Sequence, residues 1–117
     1  RNVTGVQTCA LPIFLGQTTS ATAVNLYDNG TASGSYTVVG SIVLCNTGAS
    51  DYTVTLSTST TTGAHAAGGY ILSAYTVAAG TTTALQLGVV LDTSRRYLVC
   101  NTSNTAVNVS AFGVTGP

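Results

Sequence analysis

Lysine, glutamate, methionine and tryptophan are all absent from this chain. Its charged residues number six: Arg1, Asp28, Asp51, Asp92, Arg95 and Arg96. An ordinary domain is about a quarter charged, whereas this one is 5% charged with a formal net charge of zero. With no basic surplus there is no electrostatic footprint for nucleic acid. His65 is the sole histidine and no CxxC pair occurs. A metal site with paired ligand spacing is therefore not expected, and no cofactor motif stands out. No apolar run approaches the ~20 residues of a membrane span. Helix formers other than Ala and Leu are nearly missing, which argues against a helical fold.

The polarity that is present comes from hydroxyls and amides, with twenty-two threonines and many Ser, Asn and Gly. Thr and Val favour strands. At 117 residues the chain reads as one domain, large enough to bury roughly two thirds of its unfolded surface around a single core. A surface with net charge near zero is poorly protected against self-association, so such a chain either assembles or is kept soluble by something else. Glycans are one candidate. Asn29-Gly30-Thr31, Asn101-Thr102-Ser103 and Asn108-Val109-Ser110 are acceptor tripeptides, as is Asn2-Val3-Thr4. In a sequence this rich in Asn and Thr, chance sequons are expected too.

Alternation of apolar and polar residues, broken by turn residues, predicts strands over 23–27, 35–46, 51–57, 70–78, 82–91, 95–101 and 106–114. The fold class that follows is all-β: a single antiparallel β-sandwich, jelly-roll or immunoglobulin-like, of about seven to eight short strands. Parity places Tyr52, Val54 and Leu56 on one face. It likewise groups Thr83, Leu85, Leu87 and Val89 opposite Gln86, and Val107, Val109 and Ala111 opposite Asn108, Ser110 and Phe112. Two runs, SIVLC (41–45) and YLVC (97–100), are apolar on both faces, as strands covered on both sides are. A neighbouring subunit would supply that cover. Ile42, Val43, Leu44, Tyr97, Leu98 and Val99 are therefore the candidate assembly surface. A weak internal repeat, IVLCNTGASDYTVTL (42–56) against YLVCNTSNTAVNVSA (97–111), reads as two similar hairpins.

Cys45 and Cys100 end the two apolar runs. They read either as an inter-sheet disulfide, worth roughly 4 kcal/mol in the chain-entropy model, or as two buried thiols. A nucleophile–base–orienter set needs a base. His65, in the Gly-rich stretch 58–69, reads as a solvated loop residue. Asp28, Asp51 and Asp92 each sit beside turn residues, where Asp shapes turns. Arg95-Arg96 reads as a charged strand start that discourages edge pairing. No acid–base set emerges, so no catalytic residue and no enzyme activity are expected. Six tyrosines, at 27, 36, 52, 70, 75 and 97, leave a sugar-binding surface as the alternative.

The order of LGQ (15–17), LY (26–27), VVGSIVLCNTG (38–48), YILSAYTVAAGTTTALQLGVVL (70–91) and VSAFGV (109–114) resembles a family of small β-sandwich structural proteins of tailed phages and environmental viral sequences. The likeness runs over most of 15–114, and LYDNGTASGSYTVV departs from the family's Pro-containing first hairpin. It implies a non-enzymatic virion or tail-associated component, located in a virion or outside the cell, with itself, other virion proteins or glycans as partners. An extracellular helical fibril is the related expectation. Separately, VTGVQTCALPI (3–13) resembles the conceptual translation of a sequencing-library adapter. That divides the chain into a non-native or arm-like segment 1–14 and a sandwich domain 15–117, and it sets Arg1, Asn2 and Cys9 aside.

Overall fold

A computed structural model describes residues 13–116 as eight strands and their connections. The expectations for Arg1, Asn2, Cys9 and the adapter-like stretch up to residue 12 lie outside these residues. In chain order the strands are β1 (Ile13–Thr18), β2 (Val24–Asp28), β3 (Tyr36–Asn46), β4 (Tyr52–Ser59), β5 (Tyr70–Val77), β6 (Thr82–Leu91), β7 (Tyr97–Thr102) and β8 (Val107–Gly116). Seven coincide with the runs read from period-two alternation. The additional one, β1, contains Ile13 and Phe14 on the far side of the boundary drawn at 14/15. No helix of the described residues is long and apolar enough to cross a membrane.

The strands form two four-stranded antiparallel sheets, β1-β8-β3-β6 (sheet A) and β2-β7-β4-β5 (sheet B). β4 pairs with β5, β3 with β6, β2 with β7 and β1 with β8. This nesting is what a single long hairpin produces when it is rolled so that successive strand pairs alternate between sheets. β3–β8 and β4–β7 pairing then completes each sheet. The connectivity is that of a jelly roll, and it decides between the two sandwich types expected.

The inward faces carry the core: Ile42, Leu44, Val54, Leu56, Leu98, Val107 and Val109 are all fully buried. On β3 the inward positions pass from Thr37 and Val39 to Ile42 and Leu44. The shift of parity falls at Gly40, where the ladders to both β6 and β8 break register. One inserted residue reverses which side chains face in. The sandwich closes tightly along β1 and β2. There Gly16 lies against the Leu26 carbonyl oxygen, where any Cβ would collide.

Two expectations are corrected. The repeated segments are not hairpins, because β3 pairs with β6 and β8 rather than β4, and β7 pairs with β2 and β4 rather than β8. Each segment is an arch that carries the chain from one sheet to the other. The two arches meet, Thr47 N donating to Ala106 O at 3.0 Å. At the first arch Asn46, 1% exposed, donates from Nδ2 to Ser50 O and Val77 O and accepts at Oδ1 from Gly48 N. The candidate assembly surface is also mostly interior. Ile42, Leu44, Leu98 and Val99 are fully buried, since β3 and β7 are central strands, and only Val43 and Tyr97 of the six keep partial exposure.

Leu44→Ala is expected to cost about 2–5 kcal/mol in urea unfolding, as large-to-small core changes do. Val43→Thr, on the outer face of the same strand, is expected to stay within about 0.5 kcal/mol. Equal losses at the two positions would contradict this inward–outward assignment.

Candidate functional site

Central strands with one face on the core still need a cover for the other. On β7, Leu98 and Cys100 belong to the core cluster, and Val99 between them points the opposite way yet is also 0% exposed. In register, Val99 lies between Asn25 on β2 and Ser57 on β4. The β4–β5 connection folds over this row. Asn25 Nδ2 donates to Thr62 Oγ1 at 2.7 Å and its Oδ1 accepts from Gly63 N at 2.8 Å. At its far end Thr58 N donates to Gly69 O at 2.9 Å. Gly69 is needed there because a Cβ would collide with the Thr58 carbonyl oxygen. The cover that sequence patterning assigned to a neighbouring subunit is, on this sheet, the chain's own loop.

His65 is the centre of that loop. Its Nδ1 lies 2.5 Å from Ser57 Oγ and its Nε2 2.7 Å from Asn101 Oδ1. Its ring stacks on Tyr70 with centroids 5.4 Å apart. With Asn101 Oδ1 as the acceptor, Nε2 is the donating nitrogen there, and Nδ1 shares a hydrogen bond with the Ser57 hydroxyl. The histidine expected to be solvated is half-buried and bonded at both ring nitrogens. Period and propensity carry no trace of this, because the three partners come from separate parts of the chain. The signal available was a hydroxyl and an amide at outward positions of two strands that turned out to be adjacent.

A hydroxyl–imidazole–amide chain is also the layout of a nucleophile, base and orienter. Here Ser57 is fully buried and no cavity opens beside it among the described residues. The network fastens the loop to sheet B. Among the described residues no group of three or more His, Cys, Asp or Glu is placed to hold a metal ion.

The other candidate residues are dispersed. Cys100 is in the core and burial pushes its thiol up to about 12. Cys45 alternates outward on β3, where its sulfur accepts from Thr82 Oγ1 at 3.4 Å. Both are free thiols, on different sheets and facing different ways. Of the sequon residues, Asn29 accepts at Oδ1 from Thr37 Oγ1 and donates from Nδ2 to Ser35. Asn101 serves His65, and Asn108 lies on the outer face of β8 with Nδ2 donating to Ser110 Oγ at 3.2 Å.

Arg96 forms a two-pronged pair with Asp28, Nε to Oδ1 at 2.8 Å and Nη2 to Oδ2 at 2.7 Å. It also lies over the Tyr97 ring. The Arg96 hydrogen bonds hold the Asp28 carboxyl below its usual range. Asp92 is likewise lowered by donors from Arg95 N and Ser94 in its turn. Arg95 reaches back to Thr58 O and Oγ1 at 3.3 Å. The tyrosines form no single platform. Tyr27, Tyr52 and Tyr75 pack on the core, Tyr36 belongs to sheet A and Tyr70 sits against His65.

No protein family matches the sequence, and no curated protein matches it. Among solved structures, a chain from the structure of infectious bursal disease virus, Gt strain, is similar with a TM-score of 0.44 and 16% identity. The alignment covers 90% of this chain and 28% of that one.

His65→Ala leaves the buried Ser57 hydroxyl without a partner. It is expected to cost about 1–3 kcal/mol in denaturant unfolding and to speed amide exchange at Val99 and proteolysis within 60–69. An unchanged exchange profile would mean that the loop is held by other contacts. In a Cys9→Ser chain, a thiol reagent at neutral pH is expected to modify Cys45 and to reach Cys100 only on unfolding.

Proposed function

We propose that this chain is a non-enzymatic structural subunit that assembles with copies of itself, as a virion component or an extracellular fibril. The outer face of sheet A carries this reading. Sheet B is covered by the 60–69 loop, while among the described residues the strands of sheet A hold no charged residue. Val38 on β3 stands in register with Val90 on β6 and Val114 on β8, all on the outward side. Beside them Phe14 and Phe112 meet edge-to-face, with centroids 5.7 Å apart.

Of the five large hydrophobic side chains exposed among the described residues, Ile13, Phe14, Tyr36 and Val90 belong to sheet A. An apolar cluster of this kind at one end of an exposed sheet face marks an interaction surface. Because the face bears no charge of either sign, a second copy meets it without like-charge repulsion. The jelly roll is shared by viral capsid and lectin domains, so the fold by analogy is compatible with either class and selects neither. The face, rather than the fold, favours assembly.

Light scattering and negative-stain microscopy of the full chain test the reading. The expected result is association that rises with protein concentration and weakens at least about tenfold when Val38 and Val114 are both replaced by lysine, since each buried charge at such a contact is costly. The unfolding midpoint of the double variant should stay close to that of the parent. A parent chain that remains monomeric to about millimolar concentration would refute the proposal.

A further inference from the structure

We infer that the edge of β6 left unpaired among the described residues is a docking strand for the β6 of a second copy, the two running antiparallel so that sheet A continues from one subunit into the next. This rests on the self-assembly reading above and specifies one contact of it.

The four edge strands of the sandwich are not equivalent. β2 has five residues and a register break between Asn25 and Tyr27. The 60–69 loop is bonded to it at Asn25, and the Asp28–Arg96 pair fastens its end. β5 breaks register twice against β4, and Ala74 on it has a φ of 51°. A backbone so distorted offers a poor ladder to a partner. Over the described residues β1 has six, with a break between Phe14 and Gly16.

β6 has ten residues and pairs with β3 on one side. Its one irregularity lies opposite Gly40, and in–out alternation continues through it without a change of parity. The strand holds none of the usual devices that blunt an edge: no Pro, no Lys and no charged residue of any kind. At about 3.4 Å per residue it presents an edge about 34 Å long.

The side chains specify a partner of the same sequence. Leu85, Leu87 and Val89 face inward but remain half-buried at the sandwich's margin, whereas inward residues of the central strands are fully covered. An antiparallel β6 from a second copy, centred anywhere from Ala84 to Gly88 on matched parity, brings another set of these same residues alongside and keeps them inward. The outward positions Thr82, Ala84, Gln86 and Gly88 are small or neutral, so self-pairing places no like charges together. A single strand edge buries less than the ~800 Å² per partner of a tight complex. The contact is therefore concentration-dependent, and the bare face of sheet A adds to it.

A cysteine scan tests this in the full chain carrying Cys9→Ser and Cys45→Ser. Single cysteines at Ala84, Leu85, Gln86, Leu87 and Gly88 are compared under mild oxidation with Ser73→Cys on β5. Disulfide-linked dimers are expected at one or two adjacent positions of β6, at several times the yield at position 73. Gln86→Lys is expected to weaken association by up to about fivefold, with recovery as salt rises. Association by light scattering without cross-linking on β6 above the Ser73 control overturns the β6 contact and leaves the self-assembly reading standing. Absence of association at any concentration overturns both.

Discussion

Burial of the inward rows of β3, β4, β7 and β8 is the interaction on which the rest of this structure depends. Both described cysteines are free, and Arg96–Asp28 is the one salt bridge among the described residues, partly exposed at both ends. Such a pair contributes little. What remains is apolar area taken out of water between two sheets, together with ladders that satisfy the backbone. The fold class follows: short strands with one apolar face become stable when two such faces meet.

With so few charges, the remaining polar work falls to neutral groups. Asn46 ties its own arch to Ser50 and Val77. Thr102 Oγ1 donates to Ser20 O and Asn104 O, and His65 joins Ser57 to Asn101. Neutral hydrogen bonds keep their strength at any ionic strength. They impose geometry where a salt bridge would impose mainly proximity. The loop over sheet B is held in this way, and holding it there makes the two outer faces of the molecule unlike each other. One is closed by the chain itself; the other, among the described residues, is uncharged and carries an apolar cluster at one end.

That asymmetry revises the route to self-assembly without discarding it. The runs SIVLC and YLVC are apolar on both sides because they become central strands. Their second faces are covered from within on sheet B and form part of the bare face on sheet A. Val99 illustrates the first case and Val43 the second. A run that is apolar on both faces indicates cover on both sides but does not identify the covering group. On sheet B that group is the 60–69 loop, which precedes β7 in the chain.

Strand content, seven of the eight strands and most of the core were legible in the order of residues alone. Those features are set locally, by the two-residue period of the pleat and by turn residues between runs. Tyr52, Val54 and Leu56 share a face whatever sheet they join. Which strands are neighbours was not legible there, nor were the jelly-roll connectivity and the arches in place of hairpins. Folding also brought Ser57, His65 and Asn101 together and, among the described residues, left β6 unpaired along one edge. Each of these depends on pairings between residues far apart in the chain, and a period of two is the same in every partner a strand could take.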